Sequence, residues 1–223
     1  KNLFNKGLIY KGYTIQPYSP KAGTGLSSHE LNQPGTYQDV TDTTVTAQFK
    51  AINTTLPDSI QQGDSVYFLA WTTTPWTLPS NTALTVNPKI KYALVSSFNQ
   101  YTKKPIHVIL AKDLVSKVFL GPFIQVENKS MLKLSSKQTS KIPYYLKKTF
   151  NGTELIGIKY EQLWNEAPVP FENAENAFRV IGGDFVTIED GTGIVHTAPT
   201  FGADDAKAAK EAIPEVPPML IYD

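Results

Sequence analysis

Ser65-Val66-Tyr67-Phe68-Leu69-Ala70-Trp71 is a nearly continuous apolar and aromatic run. Such a run reads as a strand buried on both faces. Upstream, Thr43–Phe49 is rich in Thr and Val and predicts a partner strand. Downstream, Thr82–Val86, Tyr92–Phe98 and Ile106–Leu110 predict further strands, separated by Asn87-Pro88 and by residues 99–105. Lys112–Phe119 predicts a short helix, which Gly121-Pro122 stops. Phe123–Val126, Leu155–Ile158, Phe178–Ile181, Phe185–Ile188 and Gly193–His196 add short strands, with Gly182-Gly183-Asp184 as a hairpin turn between two of them. A last helix is expected from about Ala203 to Ile213. Asp204 and Asp205 fall in its first turn, where acidic side chains suit the dipole, and Pro214 ends it. Many short strands with few helices predict a mainly β, α+β fold: a closed β-barrel with peripheral helices.

Residues 1–40 have a different character. Asn5-Lys6-Gly7, Tyr18-Ser19-Pro20 and Ala22-Gly23-Thr24-Gly25 are turn signals, and Gly7–Ile15 is expected to form one arm of a ribbon. This part reads as a connector, leaving residues 41–223 as the functional domain. Lys1 in place of an initiator Met, and the apolar end Pro218–Asp223, read as cuts inside a longer protein. The net charge of +1 gives no global field for a polyanion, so any nucleic acid must be held by a local patch and a shaped pocket. The absence of cysteine excludes a disulfide scaffold and a zinc–thiolate site. No apolar run approaches the ~20 residues of a membrane helix, and no apolar stretch of a signal peptide follows the N-terminus. A cytoplasmic, monomeric protein is expected.

Two segments can carry chemistry. The first is Trp71-Thr72-Thr73-Thr74-Pro75-Trp76-Thr77-Leu78-Pro79-Ser80-Asn81-Thr82-Ala83-Leu84, with five threonines, two tryptophans and two prolines directly after the buried run. Pro75 and Pro79 cannot donate ladder hydrogen bonds, so the strand must end near Thr74. That leaves a rigid loop of hydroxyls between indoles, and a threonine hydroxyl both donates and accepts. The second is Asp190-Gly191-Thr192-Gly193-Ile194-Val195-His196-Thr197-Ala198-Pro199-Thr200-Phe201-Gly202-Ala203-Asp204-Asp205. It places His196, one of three histidines, where a strand meets a loop. Asp205 opens a helix, where a carboxylate can face a ligand ammonium. On residue pattern alone plainer readings are preferred for each: a threonine-rich strand end, a structural histidine and helix-capping aspartates. Gly191-Thr192-Gly193 is too short for a phosphate loop, and no Lys-Ser or Lys-Thr follows it.

Taken together the two segments resemble isoleucyl-tRNA synthetase editing domains (connective polypeptide 1 of a class I synthetase). WTTTPWTLPSNTAL is similar to the threonine-rich peptide of that family, and GTGIVHTAPTFGADD to its second signature. The opening GLIYKGYTIQPYSPKAGTGLSSHEL resembles the lead-in from the synthetase core in the eukaryote-like branch, which some bacteria also carry. Valyl and leucyl relatives carry Thr-Thr-Arg-Pro; Thr74 and Trp76 here match the isoleucyl type. The His-Ile-Gly-His and Lys-Met-Ser-Lys-Ser signatures of amino-acid activation are absent, so this chain is not expected to charge tRNA.

The resemblance implies the closed-barrel editing fold of valyl-, isoleucyl- and leucyl-tRNA synthetases, and hydrolysis of valine wrongly attached to isoleucine tRNA. One missing methylene costs a competitor only about 1–3 kcal/mol, and the isoleucyl enzyme is itself the standard example, with ~150-fold discrimination and hence a second sieve. It further implies that Asp205 binds the α-ammonium of the valyl group and that His196 walls the pocket against the extra methylene of isoleucine. Thr72, Thr73 and Thr74 then hold the ester, the terminal ribose or the attacking water. Trp71 and Trp76 pack on that loop or on the terminal adenosine, while Thr77, Asn81 and Thr197 support substrate binding; Asp204 is left as a helix-start residue. No metal, cofactor or covalent intermediate is expected; substrate assistance by a ribose hydroxyl is preferred over His196 as base. The implied partners are the tRNA(Ile) 3′ end carrying valine, valyl-adenylate as a further ligand, and the rest of the synthetase. A binding module that holds the 3′ end or aminoacyl group without hydrolysing it is the alternative from another class, and a purely structural insertion is a third.

Overall fold

The computed structural model describes all residues except 11, 13, 61, 62, 135–140 and 220–223. The chain divides into two compact units, Lys1–Asp42 and Thr43–Asp223. In the first, helix α1 (Asn2–Asn5) is followed by β1 (Tyr18–Ser19) and β2 (Thr24–Gly25), paired antiparallel. The short helix α2 (Ser28–Leu31) starts where Ser27 and Glu30 form a reciprocal cap: the Ser27 backbone N–H donates to the Glu30 carboxylate at 2.7 Å, and the Glu30 N–H donates to Ser27 Oγ at 3.3 Å. The ribbon therefore lies at 18–25, at the turn signals themselves. No described residue of Gly7–Ile15 is in a strand, and Lys11 and Tyr13 of that expectation lie outside the described residues. The same holds for residues 220–223 of the apolar end.

Among its described residues, the second unit is built on nine strands: β3 (Val45–Lys50), β4 (Val66–Thr72), β5 (Ala83–Val86), β6 (Lys91–Phe98), β7 (Pro105–Ala111), β8 (Phe123–Gln125), β9 (Ile142–Asn151), β10 (Arg179–Gly182) and β11 (Ile194–Thr197). Two helices accompany them, α3 (Val115–Val118) and α4 (Ala203–Glu211). The fold is mainly β with few helices. β4 is central. One edge pairs antiparallel with β3 at Tyr67–Thr72; the other pairs parallel with β7 at Val66–Phe68 and with β11 at Trp71. Its side chains divide accordingly: Phe68 and Ala70 enter one core with Phe49, Leu84, Val180 and Ile194, while Leu69 enters a second with Val95, Val108, Leu110 and Tyr144. Burial on both faces is why Ser65–Trp71 lacks alternation.

The named ladders run β10-β5-β11-β4-β7-β6-β9-β8, with β3 on β4, and do not close on themselves. Two isolated bridges, Ala51 with Tyr160 and Lys159 with Arg179, link the end of β3 to β10 through residues 159–160. Backbone bonds carry both links: Ile52 N–H donates to Lys159 C=O at 2.8 Å, and Tyr160 N–H donates to Phe178 C=O at 2.9 Å.

Two expected strands are corrected, and one strand was not foreseen. Leu155–Ile158 is a turn, with Leu155 N–H bonded back to Gly152 C=O; Leu155 and Ile158 are buried without a ladder, and Ile156 is exposed. Phe185–Ile188 is irregular, so Gly182-Gly183-Asp184 is not a hairpin; β10 pairs parallel with β5 instead. β9 was not foreseen, because Lys147 and Lys148 interrupt its apolar pattern on an exposed stretch. Gly191 and Gly193 both have positive φ, and a Cβ on Gly193 would lie 2.4 Å from the Ala111 Cβ at the end of β7. Gly193→Ala should therefore cost about 2 kcal/mol of stability in chemical denaturation, from backbone strain plus overlap; an unchanged midpoint would refute this close approach. Among the described residues, no helix is long and apolar enough to cross a membrane.

Candidate active site

β4 ends at Thr72, and Pro75 opens a 3-10 turn over Pro75–Ser80. The missing proline donors force the chain out of the ladder here and fold the threonine run back over the end of the strand. β11 runs parallel to β4 at this point, Val195 opposite Trp71. Ala198–Gly202 then lead into α4, whose first turn carries Asp204 and Asp205.

These elements enclose a cavity of about 520 Å³. Trp71, Thr72, Thr73, Thr74, Trp76 and Thr77 line one side; Val195, His196, Phe201, Gly202 and Asp205 line the other. Residues more than 100 positions apart thus share one wall-to-wall space. Trp76 stands at its rim, 63% exposed. Asn81 and Thr197 do not line it. Thr197 points to the opposite face of β11, where its hydroxyl is 2.6 Å from the Thr85 hydroxyl. Asn81 lies behind His196. A second cavity of about 200 Å³ shares Trp71 and Val195 with the first and is lined by Phe185, Thr187 and residues 189–194.

The hydrogen bonds around His196 fix its chemical form. The Asn81 side-chain amide donates to Ala83 C=O at 2.7 Å, which sets which end of the amide is nitrogen. That nitrogen lies 3.0 Å from His196 Nδ1 and donates to it. Thr77 uses its one hydroxyl proton on Thr74 C=O at 2.8 Å, so at 2.9 Å its oxygen accepts from His196 Nε2–H. The imidazole is neutral, with its proton on Nε2 and its lone pair occupied. Burial pushes its pKa down to about 4.

The hydroxyls continue outward. Thr74 N–H donates to Thr72 Oγ1 at 3.0 Å, and the Thr72 and Thr74 hydroxyls are 3.2 Å apart. Asp205 accepts from Ala198 N–H at 2.9 Å through Oδ2. Burial raises its pKa first of all; the Ala198 bond lowers it and the neighbouring Asp204 charge raises it further. A carboxyl held up by desolvation, on a cavity wall, gains by meeting a cation. Gly202 permits the approach: a Cβ there would stand 2.9 Å from the Asp205 carboxylate. Val195, Phe201 and Gly202 were not foreseen as lining residues, although all three stand inside the second segment.

A serine–histidine–aspartate contact lies elsewhere. Ser96 Oγ is 2.8 Å from His107 Nδ1, and Asp64 is 3.6 Å from His107 Nε2. Ser96 is 2% exposed and borders neither cavity, so it lacks the open face a nucleophile needs. Among the described residues, no three His, Asp or Glu side chains gather as a metal site requires.

No family model matches the chain. It is 57% identical over 226 residues to the isoleucine–tRNA ligase of Bacteroides fragilis, covering 100% of this chain and 18% of that protein. The isoleucine–tRNA ligase of Cytophaga hutchinsonii is 56% identical over 219 residues, with 97% and 18% covered. The chain thus spans about a fifth of the length of the curated relatives it matches. Among solved structures it is similar to the crystal structure of GlLeuRS-CP1, with TM-score 0.52, 18% identity, and 76% of this chain and 59% of that one covered. The cytosolic leucyl-tRNA synthetase editing domain of P. knowlesi gives TM-score 0.52 at 14% identity, with 78% and 66% covered. At these identities the likeness is one of fold.

Proposed function

The chain belongs to the isoleucine–tRNA ligase family, and we propose that it is the hydrolytic editing domain, removing valine from mischarged tRNA(Ile). One observation carries this reading. A single cavity joins threonine hydroxyls, a neutral imidazole and a carboxylate raised by burial. That set fits an aminoacyl ester. Asp205 meets the α-ammonium, the Thr72 and Thr74 hydroxyls meet the ester and ribose oxygens, and His196 with Val195 forms the wall that the amino-acid side chain must clear. Thr73 stands over the same opening, and Trp71 and Trp76 offer faces to the terminal adenosine.

The reaction is addition of water to the ester carbonyl, followed by cleavage of the bond to the ribose oxygen. Free valine and uncharged tRNA result. His196 is a poor base for this step: Asn81 occupies its lone pair, and its low pKa makes it weakly basic. We therefore assign the orienting of the water to a ribose hydroxyl of the substrate. Positioning and oxyanion stabilisation by hydroxyl donors then supply the catalysis.

The remaining parts of the proposal follow the family. Residues 1–40 serve as the connector to the synthetase body and residues 41–223 as the editing domain, a monomer in the cytoplasm, with valyl-adenylate as a second ligand. The ring β3, β4, β11, β5, β10 and residues 159–160 is read as the small closed barrel of the fold. The test is deacylation: valyl-tRNA(Ile) should lose its valine in the presence of this chain at least tenfold faster than isoleucyl-tRNA(Ile) loses isoleucine. Tight binding of both with release of neither would establish a binding module instead.

A further inference from the structure

Behind the cavity, the polar groups that hold His196 end on a residue that is not part of the cavity wall. Tyr160 is 1% exposed, lies 79 positions from Asn81, and its hydroxyl is 2.6 Å from Asn81 Oδ1. The nitrogen end of that amide faces Ala83 C=O, so Oδ1 is the acceptor and Tyr160 O–H the donor. From there every donor points the same way: Tyr160 to Asn81, Asn81 to His196 Nδ1, His196 Nε2–H to Thr77, Thr77 to Thr74 C=O. Thr77 has spent its proton on the backbone. The Thr72 oxygen accepts from Thr74 N–H, and its hydroxyl shares a 3.2 Å contact with the Thr74 hydroxyl in which either can donate.

We propose that Tyr160 is a positioning residue: by anchoring the Asn81 amide it holds His196 in the neutral tautomer protonated on Nε2, and so sets the direction in which the Thr77 hydroxyl on the cavity wall donates. A buried network of this kind has one consistent arrangement only while each member is satisfied. The ring nitrogen that carries the proton is set by the bond at the other nitrogen. Without the Tyr160 hydroxyl, Asn81 Oδ1 is left unpaired in an apolar space, since Tyr160 packs edge-on against Phe49 at 5.3 Å and Phe178 at 6.3 Å. Turning over would set Oδ1 against Ala83 C=O, so the amide draws back from the imidazole instead, pivoting on that bond. Nδ1 then loses its donor, and the histidine proton is free to move there. Nε2 then faces Thr77 with a lone pair, Thr77 donates inward, and the chain reverses. The aromatic body of Tyr160 remains as a core residue, so Tyr160→Phe isolates the hydroxyl.

The catalytic consequence rests on the hydrolytic reading above; the tautomer does not, and the two are measured separately. The full chain is labelled with 15N-histidine, and its three imidazoles are read from long-range proton–nitrogen spectra, His29 and His107 serving as internal controls. The wild type should show His196 as a single Nε2–H tautomer. Tyr160→Phe should shift that signal towards Nδ1–H or a mixture, leave the two controls in place, and lower kcat for valyl-tRNA(Ile) by roughly tenfold with KM changed less than twofold. If Tyr160→Phe does not fold, Asn81→Ala removes the same donor to Nδ1 and should move the same signal. An Nδ1–H tautomer in the wild type, an unchanged His196 spectrum in the folded variant, or a shifted tautomer with unchanged kcat would each overturn the proposal. If the wild type hydrolyses no aminoacyl ester, the editing reading fails, and the spectra alone decide whether Tyr160 sets the tautomer.

Discussion

Asp205→Asn should lower kcat/KM for valyl-tRNA(Ile) hydrolysis by about 10- to 100-fold and leave the folded state at least as stable as the wild type. The carboxylate has one oxygen on Ala198 N–H and sits in the first turn of α4 on the cavity wall. Asparagine can keep that accepted bond through its carbonyl, so the loop before α4 stays in place. What it loses is the charge, and its amide nitrogen presents donors where the ligand ammonium needs an acceptor. A charge-assisted hydrogen bond is worth about 1.5–3 kcal/mol, and every 1.4 kcal/mol is a factor of ten. Stability should hold because burial already penalises the ionised form of Asp205. The pH profile gives a second sign. The wild-type rate should fall in acid as Asp205 takes up a proton at a pKa above its ordinary value of 3.8, and that limb should vanish in the variant. A variant within threefold of the wild type would remove Asp205 from ammonium binding.

How far this site could be read beforehand depends on whether the signal was local. Thr72, Thr73 and Thr74 are contiguous, with Thr77 three positions on, and two prolines beside them dictate where the ladder stops. Strand, loop and helix start are likewise visible around His196 and Asp205. That the two segments face each other was carried by the family resemblance, since nothing in either says that Val195 pairs with Trp71. Asn81 and Thr197 were assigned to the site because they stand in the right peptides. Thr197 instead turns its hydroxyl to Thr85, 2.6 Å away, and a place in the right peptide does not say which side chain makes that bond. Tyr160 had no local signal at all: its partner is 79 positions away. The same rule governs the fold. Ser65–Trp71 was legible because burial on both faces removes polar residues altogether, whereas β9 pairs with β6 along a stretch that carries Lys147 and Lys148 and so has no clean period. Leu155–Ile158 and Phe185–Ile188 have strand composition, but Leu155, Ile158 and Val186 are buried from turns and irregular chain, a use of hydrophobicity that period alone does not separate from pairing.

Acid should destabilise this chain through His196, by about 3 kcal/mol between neutral pH and pH 4. The sign follows from where the proton binds. In the unfolded chain the imidazole titrates near its ordinary 6.5; in the folded state burial lowers it to about 4. Above 6.5 both states are neutral and stability is complete. As pH falls below 6.5 the unfolded chain binds a proton that the folded chain refuses, and stability is lost until the folded pKa is reached. His107, also lowered mainly by burial, adds to the loss; Asp205, whose folded pKa is raised, opposes it as it protonates. The refusal has a structural cause. Protonation would put a second N–H at Nδ1, against the donor of Asn81, within a residue only 6% exposed. Urea unfolding at a series of pH values measures the slope directly, and His196→Gln, which cannot titrate, should flatten most of it. A wild type that loses under 1 kcal/mol across this range, or a His196→Gln variant with the full slope, would mean that the imidazole takes its proton in the folded state. The neutral wall assigned to the cavity, and the fixed donor direction that depends on it, would then both be wrong.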